Sequence, residues 1–267
     1  MPFIVSCKHI LSGHFDHHTV AEAIEFNGTI LVRFTSGVIL LLLIIKNKYR
    51  ASREDGRRAL LLVLPSYYPV ICVAIAYYFT FAMLHLIIRG FNTYIVLMSL
   101  DVASSHAMTG GLLFFLMQHG AGVYAFQRSA LFALGFGALA FFVFYFILSN
   151  SGDHTGDDDH LTQRTYLSHM IFSSLVMMFY AVTCFLPMKY LYRRPAFFQY
   201  AKYCIVECIV WVVASTLVYI ENAAGYCTVL SGRIIFVGML HPIFFVLCLA
   251  KDSEVNFVAV ECVLLCC

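Results

Sequence analysis

The stretch NTYIVLMSLDVASSHAMTGGLLFFLM, Asn92 to Met117, decides how the rest of the chain is read. As a helix rising 1.5 Å per residue it is long enough to cross a bilayer, which takes about 20 residues. Both ends are apolar and the middle is polar, with Asp101, Ser104, Ser105, His106 and Thr109 inside about two turns. Asp101 lies about nine residues in, roughly 14 Å deep and close to the midplane. A carboxylate at that depth costs a few kcal/mol even on lenient insertion scales, so it is expected to face other helices or a wet cavity. Ser104, Ser105 and Thr109 follow Asp101 at spacings of three, four and eight, which places them on its face of the helix.

The composition agrees with a membrane reading. The chain is 61% apolar and 12% charged, with a mean hydropathy of +0.83, whereas a soluble domain carries about 25% charged residues. A net charge of only +2 gives no footprint for nucleic acid. The first residues, MPFIVSCKHILSGHFDHH, lack the apolar run and cleavage site of a signal peptide, so insertion is expected to begin with the first span. The ten cysteines show neither CxxC pairs nor zinc-finger spacing.

Working outward, seven apolar runs are expected to form a seven-helix all-α transmembrane bundle: Thr29–Ile45, Ala59–Ile88, Thr93–Met117, Ser129–Leu148, Tyr166–Met188, Phe198–Ile220 and Ile234–Ala250. Residues 1–28 then form an extracellular arm, 29–250 the membrane domain and 251–267 a short cytoplasmic tail. Of the 17 Lys and Arg residues, 12 fall on one side and five (Lys8, Arg33, Arg89, Arg164 and Arg233) on the other. The positive-inside rule therefore puts the N-terminus outside and the C-terminus in the cytoplasm. The glycosylation sequon at Asn27 and the acidic loop Ser151–His160 fall outside on the same reading. Cys7 and Cys227 share that oxidising side and are a candidate disulfide. Cys262, Cys266 and Cys267 face the cytoplasm and suit S-palmitoylation.

Several positions fit one family. Phe185-Leu186-Pro187 closes the fifth run, and Arg193-Arg194 precedes the aromatic start of the sixth. Gly225-Tyr226-Cys227-Thr228-Val229 leads into the seventh, which holds Pro242 and Leu249 and is followed by Asp252-Ser253-Glu254. His119-Gly120 and Gln127-Arg128 add to the pattern in the second cytoplasmic turn. In these residues the chain resembles the transmembrane protein adipocyte-associated 1 family, orphan receptor-like proteins that include plant candidate G-protein-coupled receptors. The resemblance implies a seven-helix plasma-membrane protein without an established ligand. The family's long polar tail has no counterpart here. Rhodopsin-type marks are mostly missing too: Gln118-His119-Gly120 stands at the end of the third run, and no proline follows Trp211 in the sixth.

The candidate ligand pocket is Asp101, Ser104, Ser105, His106, His169 and His241, read as the lining for a cationic ligand, an ion or a proton. A structural hydrogen-bond cluster is the plainer reading of the same residues. Glu207, Trp211 and Pro242 are switch candidates, Glu207 about two turns from the cytoplasmic end of the sixth run. Pro65, Pro69 and Pro242 are candidate kinks. Gly110-Gly111 and Ala133-x-x-x-Gly137 suit close helix crossings.

The first reading is an orphan seven-helix receptor-like protein of the plasma membrane, not an enzyme, with membrane lipid, an unknown ligand and a heterotrimeric G protein or other cytoplasmic protein as partners. The alternative is a proton or cation carrier or channel using Asp101 and Glu207. A third is an intramembrane zinc hydrolase built on His106, His169, His241 and Asp101. It is weak because His241 lacks the His-x-x-x-His partner that seven-helix hydrolases use, and no metal or other cofactor is expected. Clustered His14, Asp16, His17 and His18 read as a solvated arm.

Overall fold

The computed structural model describes residues 29–53, 67–88, 94–118, 123–150, 158–185, 195–220 and 222–266. The arm with Cys7, the histidine cluster and Asn27 lies outside them, as do Pro65, residues 151–157 and Cys267. The described residues are almost wholly helical: α1 (Thr29–Arg53), α2 (Tyr68–Ile88), α3 (Tyr94–Met117), α4 (Val123–Asn150), α5 (Asp158–Phe185), α6 (Pro195–Tyr219), α7 (Ala223–Gly232), a π-helical segment (Arg233–Leu240) and α8 (His241–Cys266). The last three run on from one another as a single rod.

Six helices carry a stretch long and apolar enough to cross a membrane, and the apolar stretch of α2, Tyr68–Leu84, is shorter. Lipid is the solvent that explains the outer surface. On α4, Leu131, Leu134, Phe142 and Phe146 are about two-thirds exposed or more, an arrangement that water would penalise along a whole helix. With apolar residues on every face, these helices are sorted by where their few polar and small residues lie.

Pairs of contacts fix the helix directions. Gly137 meets Ala107, Gly111 meets Ala133 and Gln118 bonds Ser129, so α4 runs against α3. Tyr67 meets Phe115 and Tyr77 meets Ser104, so α2 also opposes α3. Tyr67–Asp252 and Tyr78–His241 set α2 against α8, and Tyr200–His241 with Tyr203–Phe236 does the same for α6. His106–Phe172 and Thr109–Tyr180 align α5 with α3. Thr29–Arg233 and Ser36–Gly238 align α1 with the last rod. The chain therefore goes up and down in strict alternation. "Upper" below means the end where α1, α3, α5 and α7 begin.

Several expected boundaries shift. α1 begins at Thr29 as expected but continues to Arg53. Pro69 stands in the first turn of α2, where a missing N–H costs little, so it is no mid-span kink. Residues 158–160 of the expected acidic loop are helical. Helix continues through most of the expected tail, to Cys266. Cys227 belongs to helix α7 rather than a loop, half-buried against Tyr166, Val218 and Tyr226.

Small residues bring α3 and α4 together. A Cβ added at Gly111 would lie 2.8 Å from the Ala133 Cβ, and one at Gly137 the same distance from the Ala107 Cβ. That approach places the apolar side of α3 against α4 and turns Asp101 toward α1.

Candidate ligand cavity and its charge pair

Arg33 is the fifth residue of α1 and is buried. Its Nη2 donates to Oδ1 of Asp101 at 2.6 Å, with side-chain exposures of 5% and 14%. Its Nη1 donates to the Tyr77 hydroxyl, and the guanidinium lies 5.0 Å from the centroid of that ring. Tyr77 reaches Ser104 at 3.3 Å, and Ser104 donates to the Asp101 carbonyl. One lattice thus joins α1, α2 and α3. Sequence reasoning placed Arg33 among the charges of the outer side; its side chain instead turns inward, because a cation at this depth is cheaper beside a carboxylate than beside lipid.

Below the pair lies a cavity of about 80 Å³, bordered by Thr29 at the top and by Tyr180 and Cys204 deeper. That is room for several water molecules. Asp101, Ser105, His106 and His169 border it, so four of the six expected pocket residues converge. Glu207 and Trp211 border it as well. Ser104 instead belongs to the Tyr77 lattice.

Glu207 is residue 13 of the 25 in α6, deeper than the two turns expected. Its carboxylate has no hydrogen bond or ion pair among the described residues, and it borders the cavity together with Cys204, Cys208 and Trp211 on one helical face. Nδ1 of His106 and Nε2 of His169 are buried without a hydrogen-bond partner among the described residues. The His169 ring stacks on Trp211, with centroids 5.9 Å apart. Above it, Arg233 lies over the other reach of Trp211, 5.4 Å from the ring centroid, and donates to Thr29. No three His, Cys, Asp or Glu side chains among the described residues are placed to hold a metal ion.

His241 stands apart, in the floor. Its Nδ1 is 2.5 Å from the Tyr78 hydroxyl and its Nε2 2.9 Å from that of Tyr200. A neutral imidazole has one donor and one acceptor, so one tyrosine gives a proton to the ring and the other takes one. Tyr203 lies parallel to the ring, 6.0 Å between centroids. These buried aromatics close the bundle beneath the cavity.

The π segment is where the last rod loosens. The His241 N–H bonds the Phe236 carbonyl, one residue further back than in an α-helix. Pro242 has no N–H to offer the Gly238 carbonyl. The Ser36 hydroxyl of α1, 2.8 Å from its own Val32 carbonyl, also reaches the Val237 oxygen at 3.0 Å and that of Gly238 at 3.3 Å, so its single proton is shared among them, and Tyr203 donates to Phe236. The expected distortion at Pro242 is therefore present and is stitched to α1 and α6. Arg33, Arg233, Tyr77, Tyr78 and Tyr200 were missed as site residues. The arginines carried a signal, a charge inside an apolar run; the tyrosines did not.

No family model, curated protein or solved structure matches the chain. The site's meaning has to come from its chemistry.

Proposed function

We propose that this is a seven-helix receptor-type protein of the plasma membrane, with its N-terminus outside, its C-terminus in the cytoplasm and a heterotrimeric G protein as its cytoplasmic partner. α2 serves as the seventh span, since its 17 apolar residues reach the lower limit for crossing. The observation that carries the reading is a cavity bordered by charged and polar side chains whose walls are tied to a loosened segment of the last rod. Arg33 and Ser36, one turn apart on α1, touch the charge pair and the freed carbonyls respectively. A ligand that moves α1 therefore acts on both, and it can shift the protein only through unequal affinity for two packings. The resemblance to the adipocyte-associated 1 family supports the same reading, and its Gly225–Val229 and Pro242 positions flank the π segment.

The structure alters one part of this picture. Asp101 already has a resident cation, so it is the lock between α1 and α3 and not the group that anchors a ligand. The test is recruitment of engineered Gα probes of each class to the protein in cells. Wild type and Asp101→Asn at equal surface level are expected to differ at least about threefold for one class. Absence of recruitment by both would overturn the reading.

A second reading, proton or cation carriage, is favoured by Glu207, a carboxyl without a hydrogen bond or ion pair among the described residues, on the cavity that Asp101 also borders. Flux into reconstituted vesicles that Glu207→Gln abolishes would establish it in place of the first.

A further inference from the structure

Glu207 is the acidic group of the cavity that no described side chain contacts as an ion pair. Asp101 is held by Arg33 at 2.6 Å, whereas Glu207 borders the same cavity with neither ion pair nor hydrogen bond among the described residues, Arg33 acting on it only from a distance. A carboxylate left so in the middle of a bundle calls for a counter-charge or a proton. The surrounding wall narrows which. Phe172, Tyr180 and Trp211 present aromatic rings to the cavity, a surface that attracts cations through the ring quadrupole. His106 and His169 border it too, each with one buried ring nitrogen that has no hydrogen-bond partner among the described residues. A neutral imidazole has one nitrogen that accepts, and in the tautomer protonated at the other nitrogen these two accept N–H donors.

Taking the cavity as the ligand site of the receptor reading, we propose that its ligand is a small primary ammonium ion seated on Glu207. An –NH₃⁺ group has three donors, which the Glu207 carboxylate and the imidazoles of His106 and His169 can receive. A cavity of about 80 Å³ suits ammonium itself or a small alkylammonium. An alkali ion wants a shell of oxygens; of the two carboxylates on this wall Asp101 is already held by Arg33, which leaves Glu207, a few hydroxyls and rings. Arg233 also borders the cavity, but it is engaged by Thr29 and lies over the ring of Trp211, one turn above Glu207 on α6.

The test uses purified full-length protein in lipid nanodiscs, with unfolding temperature followed against methylammonium chloride, sodium chloride and tetramethylammonium chloride at matched ionic strength. A saturable rise with methylammonium alone is expected, because a ligand that binds only the folded state stabilises it by mass action. Glu207→Gln, nearly isosteric, is expected to weaken that affinity at least about tenfold. If that variant does not fold, Ser105→Leu, which fills the cavity from α3 without changing charge, is expected to abolish the rise. No saturable rise in wild type, an equal rise with sodium or tetramethylammonium, or unchanged affinity in the variant that folds would each overturn the proposal. Binding is measured without any G protein: binding without recruitment sinks the receptor reading alone, and recruitment without binding sinks this proposal alone.

Discussion

Replacing Arg33 by Met and Asp101 by Asn, singly and together, measures what the charge pair contributes. The oppositely charged atoms are 2.6 Å apart and both side chains are shielded, at 5% and 14% exposure. At an effective dielectric of about 20 their attraction is about 6 kcal/mol, against about 0.2–1 kcal/mol for a pair in water. Arg33→Met leaves Asp101 without its guanidinium, and Asp101→Asn leaves Arg33 without its counter-charge. Each is expected to cost about 3–5 kcal/mol, the usual loss on removing one partner of a buried pair. The double variant removes both charges and is expected to cost no more than about 2 kcal/mol. The coupling energy is then about 4 kcal/mol or more. Unfolding of the four proteins in nanodiscs reads this directly, with each single variant melting about 10 °C lower. Costs that add to within about 0.5 kcal/mol would refute the reasoning.

The other predictions concern packing and the loosened rod. His241→Phe leaves the Tyr78 and Tyr200 hydroxyls without their shared ring, and about 2–4 kcal/mol of stability is expected to go, measured by denaturant unfolding. Gly111→Leu meets Ala133 at 2.8 Å from its first carbon, so α3 and α4 are forced apart and folded yield in detergent is expected to fall severely. Pro242→Ala restores the N–H that Gly238 lacks. Slower amide hydrogen exchange across residues 236–242, with a smaller recruitment signal, is expected; unchanged exchange would show that the proline does not set the π segment. Ser36→Ala removes the outside donor and is expected to act oppositely on exchange, at a stability cost of about 1 kcal/mol.

Much of the helix complement was legible because apolar runs of span length are interrupted by polar connections. Asp101, His106 and His169 were legible as site residues for the same reason in reverse, as polar groups inside such runs. What stayed hidden was orientation around each rod. A helix that is apolar on all faces gives no periodic signal, so nothing told Tyr77, toward Arg33, from Tyr78, toward His241. Arg33 was read as an interface charge because it stands only five residues from its helix start, where an arginine can ordinarily reach headgroups. Pro242 pointed to a distortion, but not to the donors that Ser36 and Tyr203 bring from elsewhere.

The stitching of the first rod to the third has a consequence for synthesis. Arg33 and Asp101 are 68 residues apart, so at about 5–20 residues per second the arginine is made roughly 3–14 s before its acid. During that interval the newborn α1 carries a bare cation into the translocon, and its settling in the bilayer has to wait for α3 to emerge. Nascent chains stalled between the two are the forms a cell's quality control would meet with an unanswered charge.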